Sequence, residues 1–181
     1  MAGRERSGAI AARIARFEGR PWVVTLVAET DRSAAALVCG TAEAAGATVR
    51  VLTPQDHDAA VAAVSHVPQI AASLVAARLA ELSEDAVGLS GTGIRDVTRI
   101  AASDPLLWTQ ILTGNARAVA QVLRDLAGDL SGLVAALEQL AEATTPDGRI
   151  EAPGARAVLA KAIAAGNTGH ARIPGKHGAA P

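Results

Sequence analysis

Charged side chains gather in one short stretch of a chain that is otherwise rich in Ala, Val and Leu. Between Gly88 and Asn115 the sequence places Arg95, Asp96 and Arg99 within five residues. On a helix the two arginines would share a face, and Asp96 would lie three residues from Arg99 and could orient its guanidinium. A fixed arginine can grip a carboxylate through two hydrogen bonds. These residues therefore indicate an anion-binding wall, although a solvated helix face with an Asp–Arg pair explains the same pattern.

A histidine lies in an apolar segment that is otherwise a good helix former. His66 follows Ser65 and precedes Pro68 by two residues. Because proline lacks an N–H and crowds the preceding turn, we expect a kink that turns these polar groups inward. His66 is then either a hydrogen-bonded core histidine or a hydrogen-bond donor or proton-transfer partner in a pocket. The four histidines show no metal-ligand spacing, so the sequence implies no metal site.

Composition excludes several classes of function. Half of the 181 residues are hydrophobic, only 2% are aromatic, and the net charge is −1. The even charge distribution gives no basic patch for nucleic acid or a membrane surface. The N-terminus lacks an apolar signal core, and no uninterrupted apolar run has the ~18 residues of a membrane span. We expect a cytoplasmic protein with no nucleic-acid or membrane partner, in which the single cysteine, Cys39, is a small buried hydrophobe.

The first 53 residues contain the pattern of a strand, a helix and a second strand. The run 22–28 is apolar and β-branched, a helix is expected over 34–45, and the run 48–52 again alternates as a strand. Such a unit makes two parallel strands. Two parallel strands do not form a stable domain, since parallel sheets bury both faces. Residues 1–53 therefore look like the last part of a larger α/β domain.

From Pro54 onward the sequence predicts helices. Thr53 and Asp104 precede prolines at two helix starts, Asn115 is a candidate cap for a long helix, and a final helix is expected to close at Gly166–Asn167. The predicted fold is mostly α, with a helical domain preceded by a short βαβ segment. The predicted domains are 1–53 (α/β), 54–166 (helical) and 167–181 (flexible tail).

Three motifs in this order and spacing resemble the prephenate dehydrogenase family of tyrosine biosynthesis. They are MAGRERSG at residues 1–8, the segment from His57-Asp58 to SHVP at residues 65–68, and GIRDVTRIAASDP at residues 93–105 followed by Trp108. The likeness covers almost the whole chain, and the third motif is the most distinctive.

The resemblance implies an NAD-dependent enzyme that oxidatively decarboxylates prephenate to 4-hydroxyphenylpyruvate. It further implies an N-terminal Rossmann domain for NAD and a helical domain that forms a homodimer and completes the active site. By the same resemblance, Arg99 binds a substrate carboxylate and Asp96 is its acidic partner in the active site. His66 contacts substrate, and Glu5 is the acidic residue of the first motif and also a substrate-binding candidate.

The sequence departs from the family pattern in three places. The histidine expected just before the position of Met1 and the glycine-rich cofactor loop are not in the chain, and Gln69 stands where the family motif has a second histidine. We therefore expect a truncated chain that does not turn over prephenate alone. Arogenate as substrate, a non-catalytic helical dimerisation module and an unrelated helical binding protein remain alternatives.

Overall fold

The computed structural model describes residues 15–143 and 152–175. The first motif, including Glu5, lies outside the described residues, as does most of the turn predicted near 144–152. The described chain is mostly helical and contains one small sheet, as the sequence predicts. By its internal contacts it divides into a unit that ends at Val122 and a unit that begins at Leu123.

The sheet comes from the predicted strand–helix–strand unit. Strand β1 (Pro21–Thr25) and strand β2 (Thr48–Leu52) pair in parallel, and helix α1 (Arg32–Ala44) connects them. Strand β1 ends earlier than predicted because the chain turns after it, where the Val27 N–H donates to Thr30 Oγ1 at 2.9 Å. Past the end of α1, Gly46 takes φ +80°, and a Cβ there would lie 3.3 Å from the Glu18 backbone. That close approach favours glycine at the turn.

The helix predicted from Pro54 forms as three continuous segments. Helix α2 (Pro54–Val61) is followed by a π-helical turn (Ala62–His66) and then by helix α3 (Val67–Leu79). Thr53 caps α2, as predicted, because its hydroxyl accepts from the Asp56 N–H at 3.1 Å. Where a kink was expected before Pro68, the helix forms a π turn. In this turn the Val67 N–H donates to the Ala62 carbonyl, five residues earlier.

Two short helices and a third of ten residues follow α3. They are α4 (Glu84–Gly88), α5 (Thr92–Thr98) and α6 (Pro105–Gly114). Helix α5 packs on α3. Helix α6 begins as predicted, with Asp104 accepting from the Leu106 N–H at 2.8 Å and Pro105 at the first helical position.

The last two helices are long. Helix α7 (Ala116–Glu142) has 27 residues, and helix α8 (Pro153–Ala171) has 19. The prediction that the final helix closes at Gly166–Asn167 is wrong, since α8 continues to Ala171 and residues 167–171 of the predicted flexible tail are helical. A glycine inside a helix costs only about 1 kcal/mol, which regular hydrogen bonding on both sides can offset. The remaining domain boundaries stay predictions.

The segment Pro54–Leu79 has the length and composition of a membrane span. It has 26 residues, a mean hydropathy of 1.5, and a third of its apolar window is buried within the protein. Its buried side chains include Ser65, His66 and Gln69. A core helix passes the same test of length and hydropathy, so this feature alone is weak evidence for a membrane span.

Candidate functional site

A concave, mostly apolar cavity lies in the first unit. Its volume is about 260 Å³, and it is lined by residues of α3, the turn after α5, and α6: Gln69, Ile70, Ser73, Leu74, Ala101, Ser103, Pro105, Trp108 and Leu112. An apolar lining with a few polar groups suits a small organic ligand with an apolar ring and polar substituents.

The polar groups of the cavity are tied together by hydrogen bonds. Gln69 is only 5% exposed, and its Nε2 donates to the Ile100 carbonyl at 2.9 Å. Ser103 Oγ lies 2.6 Å from the same carbonyl and 3.4 Å from Gln69 Oε1. These contacts fasten the turn after α5 onto α3. The Gln69 amide is therefore held in one orientation before any ligand arrives.

His66 is buried beside this cavity. It is 9% exposed and meets Trp108 edge to face, with ring centroids 6.3 Å apart and an interplanar angle of 83°. Asn115 Nδ2 lies 3.3 Å from His66 Nδ1 and 2.8 Å from the Asp58 carbonyl oxygen. His66 does not line the cavity itself but contacts Trp108, which does. The π turn thus places His66 against two residues far along the chain.

Burial lowers the pKa of His66 from its ordinary value of 6.5. Desolvation is the main cause because it disfavours the charged imidazolium. Repulsion from His57 lowers the pKa further, while attraction to Asp58 opposes both effects. His57 lies beside Asp58, with its Nδ1 3.0 Å from Asp58 Oδ1. His66 is therefore neutral at neutral pH.

We expect the stability of the protein to fall as the pH drops below about 6.5. The unfolded chain then binds a proton at residue 66 that the folded chain resists, so protons favour unfolding until the lowered folded pKa is passed. Urea unfolding midpoints at about pH 7.5 and about pH 5.5 measure this, with His66→Asn as comparison. Equal losses of stability in the native and His66→Asn proteins over this interval would contradict the expectation.

Arg95, Asp96 and Arg99 are all exposed, on α5 and just after its end. Within residues 15–143 and 152–175 they make no side-chain hydrogen bond or ion pair. Asp96 and Arg99 therefore form no ion pair here, and the role of Asp96 in orienting Arg99 stays a prediction. An exposed ion pair gains at most about 1 kcal/mol and orders two side chains, so solvation of both is the favoured outcome. No contact in this part of the chain joins these residues to His66.

Sequence reasoning missed two partners in this region. Asn115 was expected to cap the long helix, yet its side-chain nitrogen contacts residues 57 and 49 positions earlier. Ser103 stands out in the sequence only as part of the third motif, yet its hydroxyl contacts the Ile100 carbonyl and Gln69 in the turn beside the cavity. No local pattern reveals either contact, because both depend on how the helices pack. Trp108, which follows the third motif, is half-buried and lines the cavity.

Comparison with known proteins decides the family. The model of the family described as "Prephenate dehydrogenase, dimerization domain" matches residues 53–145. The chain belongs to the prephenate dehydrogenase family. The match spans the π turn, the cavity and all of α7, so the cavity described above lies inside the family's domain.

Curated relatives agree with this assignment. The Streptomyces niveus protein named "Probable prephenate dehydrogenase NovF" is 37% identical over 179 residues, which are 98% of this chain and 48% of that protein. The cyclohexadienyl dehydrogenase of Zymomonas mobilis is 30% identical over 141 residues, 76% of this chain and 48% of that protein. This prephenate dehydrogenase family chain thus spans about half the length of these relatives.

Solved structures show the same fold. A prephenate dehydrogenase from Aquifex aeolicus, in complex with hydroxyphenyl propionate and NAD+, matches with a TM-score of 0.76 and 26% identity over 94% of this chain and 57% of that one. An arogenate dehydrogenase from Synechocystis matches with a TM-score of 0.66 and 24% identity over 85% of this chain and 54% of that one, a likeness of fold alone.

The described residues of this family member do not fit the phosphates of NAD. A dinucleotide site uses free N–H groups and the positive end of a helix after a strand. Here the start of α1 is already occupied by the Asp31 carboxylate, which accepts from the Ala34 N–H at 2.8 Å. Glu29 adds a second acid to the same loop, and no glycine-rich loop joins β1 to α1. A dinucleotide pyrophosphate would meet two acidic side chains there.

Proposed function

We propose that this chain provides the substrate-binding and dimerisation part of a cytoplasmic NAD-dependent prephenate dehydrogenase. The observation that carries the proposal is the cavity between α3, α6 and the turn after α5, which lies within the matched family domain. Its size and apolar lining suit the ring of prephenate. The hydride acceptor would sit outside the described residues, since these offer no phosphate site.

Arg99 is the proposed carboxylate-binding residue. Its guanidinium is exposed and has no partner among the described residues, and it lies two residues before Ala101, which lines the cavity. Prephenate carries two carboxylates, and arginine binds such groups through paired, charge-assisted hydrogen bonds. In this proposal Asp96 pairs with Arg99, and thereby orients its guanidinium, once the substrate is bound. Glu5 remains a proposed contact from the first motif.

His66, which packs against Trp108, is the proposed polar contact to the substrate. It is neutral and buried, and it belongs to the motif that the resemblance assigns to substrate contact. A buried neutral imidazole provides a directed hydrogen bond without the cost of a buried charge. Of the two sequence interpretations of His66, a pocket hydrogen-bond partner is therefore the one we propose.

A second copy of the chain is the proposed partner. On α7, leucines recur every three or four residues, at positions 126, 130, 133 and 137, which is the spacing of a helix-packing seam. Leu126, Leu130 and Leu137 are 45%, 59% and 54% exposed. The seam lies within the domain that the family description links to dimerisation. We therefore place part of the homodimer interface on this leucine seam.

A non-catalytic dimerisation module is the second candidate function. The misfit between the α1 start and a dinucleotide favours it, because hydride transfer needs a bound cofactor and the described residues offer no site for its phosphates. This candidate and the enzyme part share the fold and the dimer seam but differ in ligand binding. An arogenate-specific enzyme differs from the first candidate only in the ligand that the cavity prefers.

We expect the 181-residue protein to bind prephenate but to produce no NADH from prephenate and NAD. Binding requires the cavity and Arg99, whereas turnover also requires a cofactor site. Isothermal titration with prephenate, with arogenate and with hydroxyphenyl propionate measures the first part, and absorbance of NADH measures the second. Absence of binding by all three ligands would favour the dimerisation module. NADH formation by this chain would contradict the assignment of the cofactor site elsewhere.

A further inference from the structure

Asn115 makes two contacts through one side-chain nitrogen. Its Nδ2 lies 2.8 Å from the Asp58 carbonyl oxygen and 3.3 Å from His66 Nδ1. Asn115 is the residue between α6 and α7, whereas Asp58 and His66 lie in α2 and the π turn. The amide therefore links the start of α7 to two turns of the long apolar helix.

The Asp58 carbonyl fixes which way the Asn115 amide faces. A backbone carbonyl is only an acceptor, so it must be met by the NH₂ group and not by the amide oxygen. One hydrogen of that group is taken by Asp58, and the second is free for His66. Since the amide nitrogen has no lone pair to offer, Nδ1 of the imidazole has to accept the bond.

We propose that Asn115 is a positioning residue that holds His66 as the neutral tautomer with its proton on Nε2. An imidazole that accepts at Nδ1 carries its proton on the other nitrogen, because the hydrogen bond of one nitrogen sets the state of the other. His66 then offers an N–H donor at Nε2 and no free lone pair. It donates a hydrogen bond to an oxygen and does not remove a proton.

The surroundings of His66 support the neutral state. Among residues 15–143 and 152–175, the charged and titratable groups that act on it are His57 and Asp58 on α2, and their effects on its pKa oppose each other. Trp108 covers it from α6, edge to face, and adds no charge. Burial lowers the pKa further. Protonation would also turn Nδ1 into a donor facing the donor nitrogen of Asn115, which would cost the hydrogen bond between them.

Only the role of His66 toward a ligand rests on the proposed function; the assignment of its tautomer does not. If the cavity binds prephenate, His66 is suited to donate to an oxygen of a hydroxyl or carboxylate. The tautomer is assigned from the contacts of Asn115 within the protein. A failure of prephenate binding and a failure of the tautomer assignment are therefore separate results.

Long-range proton–nitrogen NMR correlation of the full ¹⁵N-labelled chain at neutral pH tests the tautomer directly. We expect His66 Nδ1 to show the shift of an unprotonated ring nitrogen and Nε2 that of a protonated one. We also expect both Asn115 amide protons to exchange slowly with solvent. A protonated Nδ1 in the native protein would overturn the proposal without any variant.

The variant Asn115→Asp adds a test that a purely structural role would not pass. A carboxylate at this position accepts a hydrogen bond, so we expect the His66 proton to move to Nδ1 and the pKa of His66 to rise. Ser103→Ala is the control, since Ser103 bonds Gln69 and the Ile100 carbonyl and makes no hydrogen bond to His66 or Asn115. We expect the His66 proton to stay on Nε2 in this variant. A folded Asn115→Asp protein in which His66 keeps its proton on Nε2 would overturn the proposal.

Discussion

Replacement of Leu130 and Leu137 together by glutamate is expected to convert the proposed homodimer into monomers. Each leucine is more than half exposed in the single chain, and both lie on the leucine seam of α7. Burial of a leucine side chain contributes about 1.5–3 kcal/mol, and a symmetric interface uses each residue twice. The four buried, unpaired glutamates of the interface, two from each protomer, would add a desolvation cost. We expect the dissociation constant to rise at least about a thousandfold.

Sedimentation equilibrium or light scattering after gel filtration measures this change directly. Gln139→Glu is the control, because it adds one negative charge on the opposite, exposed side of α7. We expect the control protein to remain dimeric at the same concentration. A double variant that stays folded and dimeric would place the interface elsewhere on the chain. A native protein that is monomeric at micromolar concentration would contradict the homodimer itself.

Arg99→Ala is expected to weaken prephenate binding roughly ten- to hundredfold, because a hydrogen bond to a charged group contributes about 1.5–3 kcal/mol. Arg99 has no protein partner among the described residues, so its removal leaves no buried group unsatisfied. We therefore expect the unfolding midpoint to change little. The effect should appear in affinity and not in stability.

Arg95→Ala provides the control for this prediction. Arg95 carries the same charge, lies one helical turn earlier and is also exposed. Its loss should lower the affinity only slightly, by the small long-range attraction between exposed charges in salt. Isothermal titration of both variants at one salt concentration separates direct hydrogen bonding of the substrate carboxylate from long-range electrostatic attraction. Equal losses of affinity in the two variants would argue against the role proposed for Arg99.

Most of the local structure follows from local patterns in the chain. The β-branched run near Trp22 and the helix signals after it predict the parallel βαβ unit, and the structure confirms it. Thr53 and Asp104 cap the helices that they were predicted to cap, since a cap needs only a few neighbouring residues. The motif around Arg99 is likewise a feature of sequence, and its family assignment is confirmed.

The tertiary structure decided the features that depend on distant residues. The contact of Asn115 with Asp58 and His66 spans 57 and 49 residues, so no local pattern predicts it. The hydrogen bond from Gln69 to the Ile100 carbonyl forms only when α5 packs on α3. Asp96 and Arg99 have the right spacing for an ion pair and form none, because solvent competes with a weak exposed interaction.

The sequence by itself determined the family and the order of the βαβ unit and the longer helices, and it named candidate residues for binding an anion. It predicted that a kink near Pro68 turns His66 inward, which the burial of His66 confirms. It could not determine the π turn that forms there or the packing of Trp108 against the imidazole. Nor could it determine the end of α8, where helical hydrogen bonding continues past Gly166 and Asn167. Spacing along the chain specifies neighbours within one helix, whereas burial and pairing between helices exist only once the helices have packed.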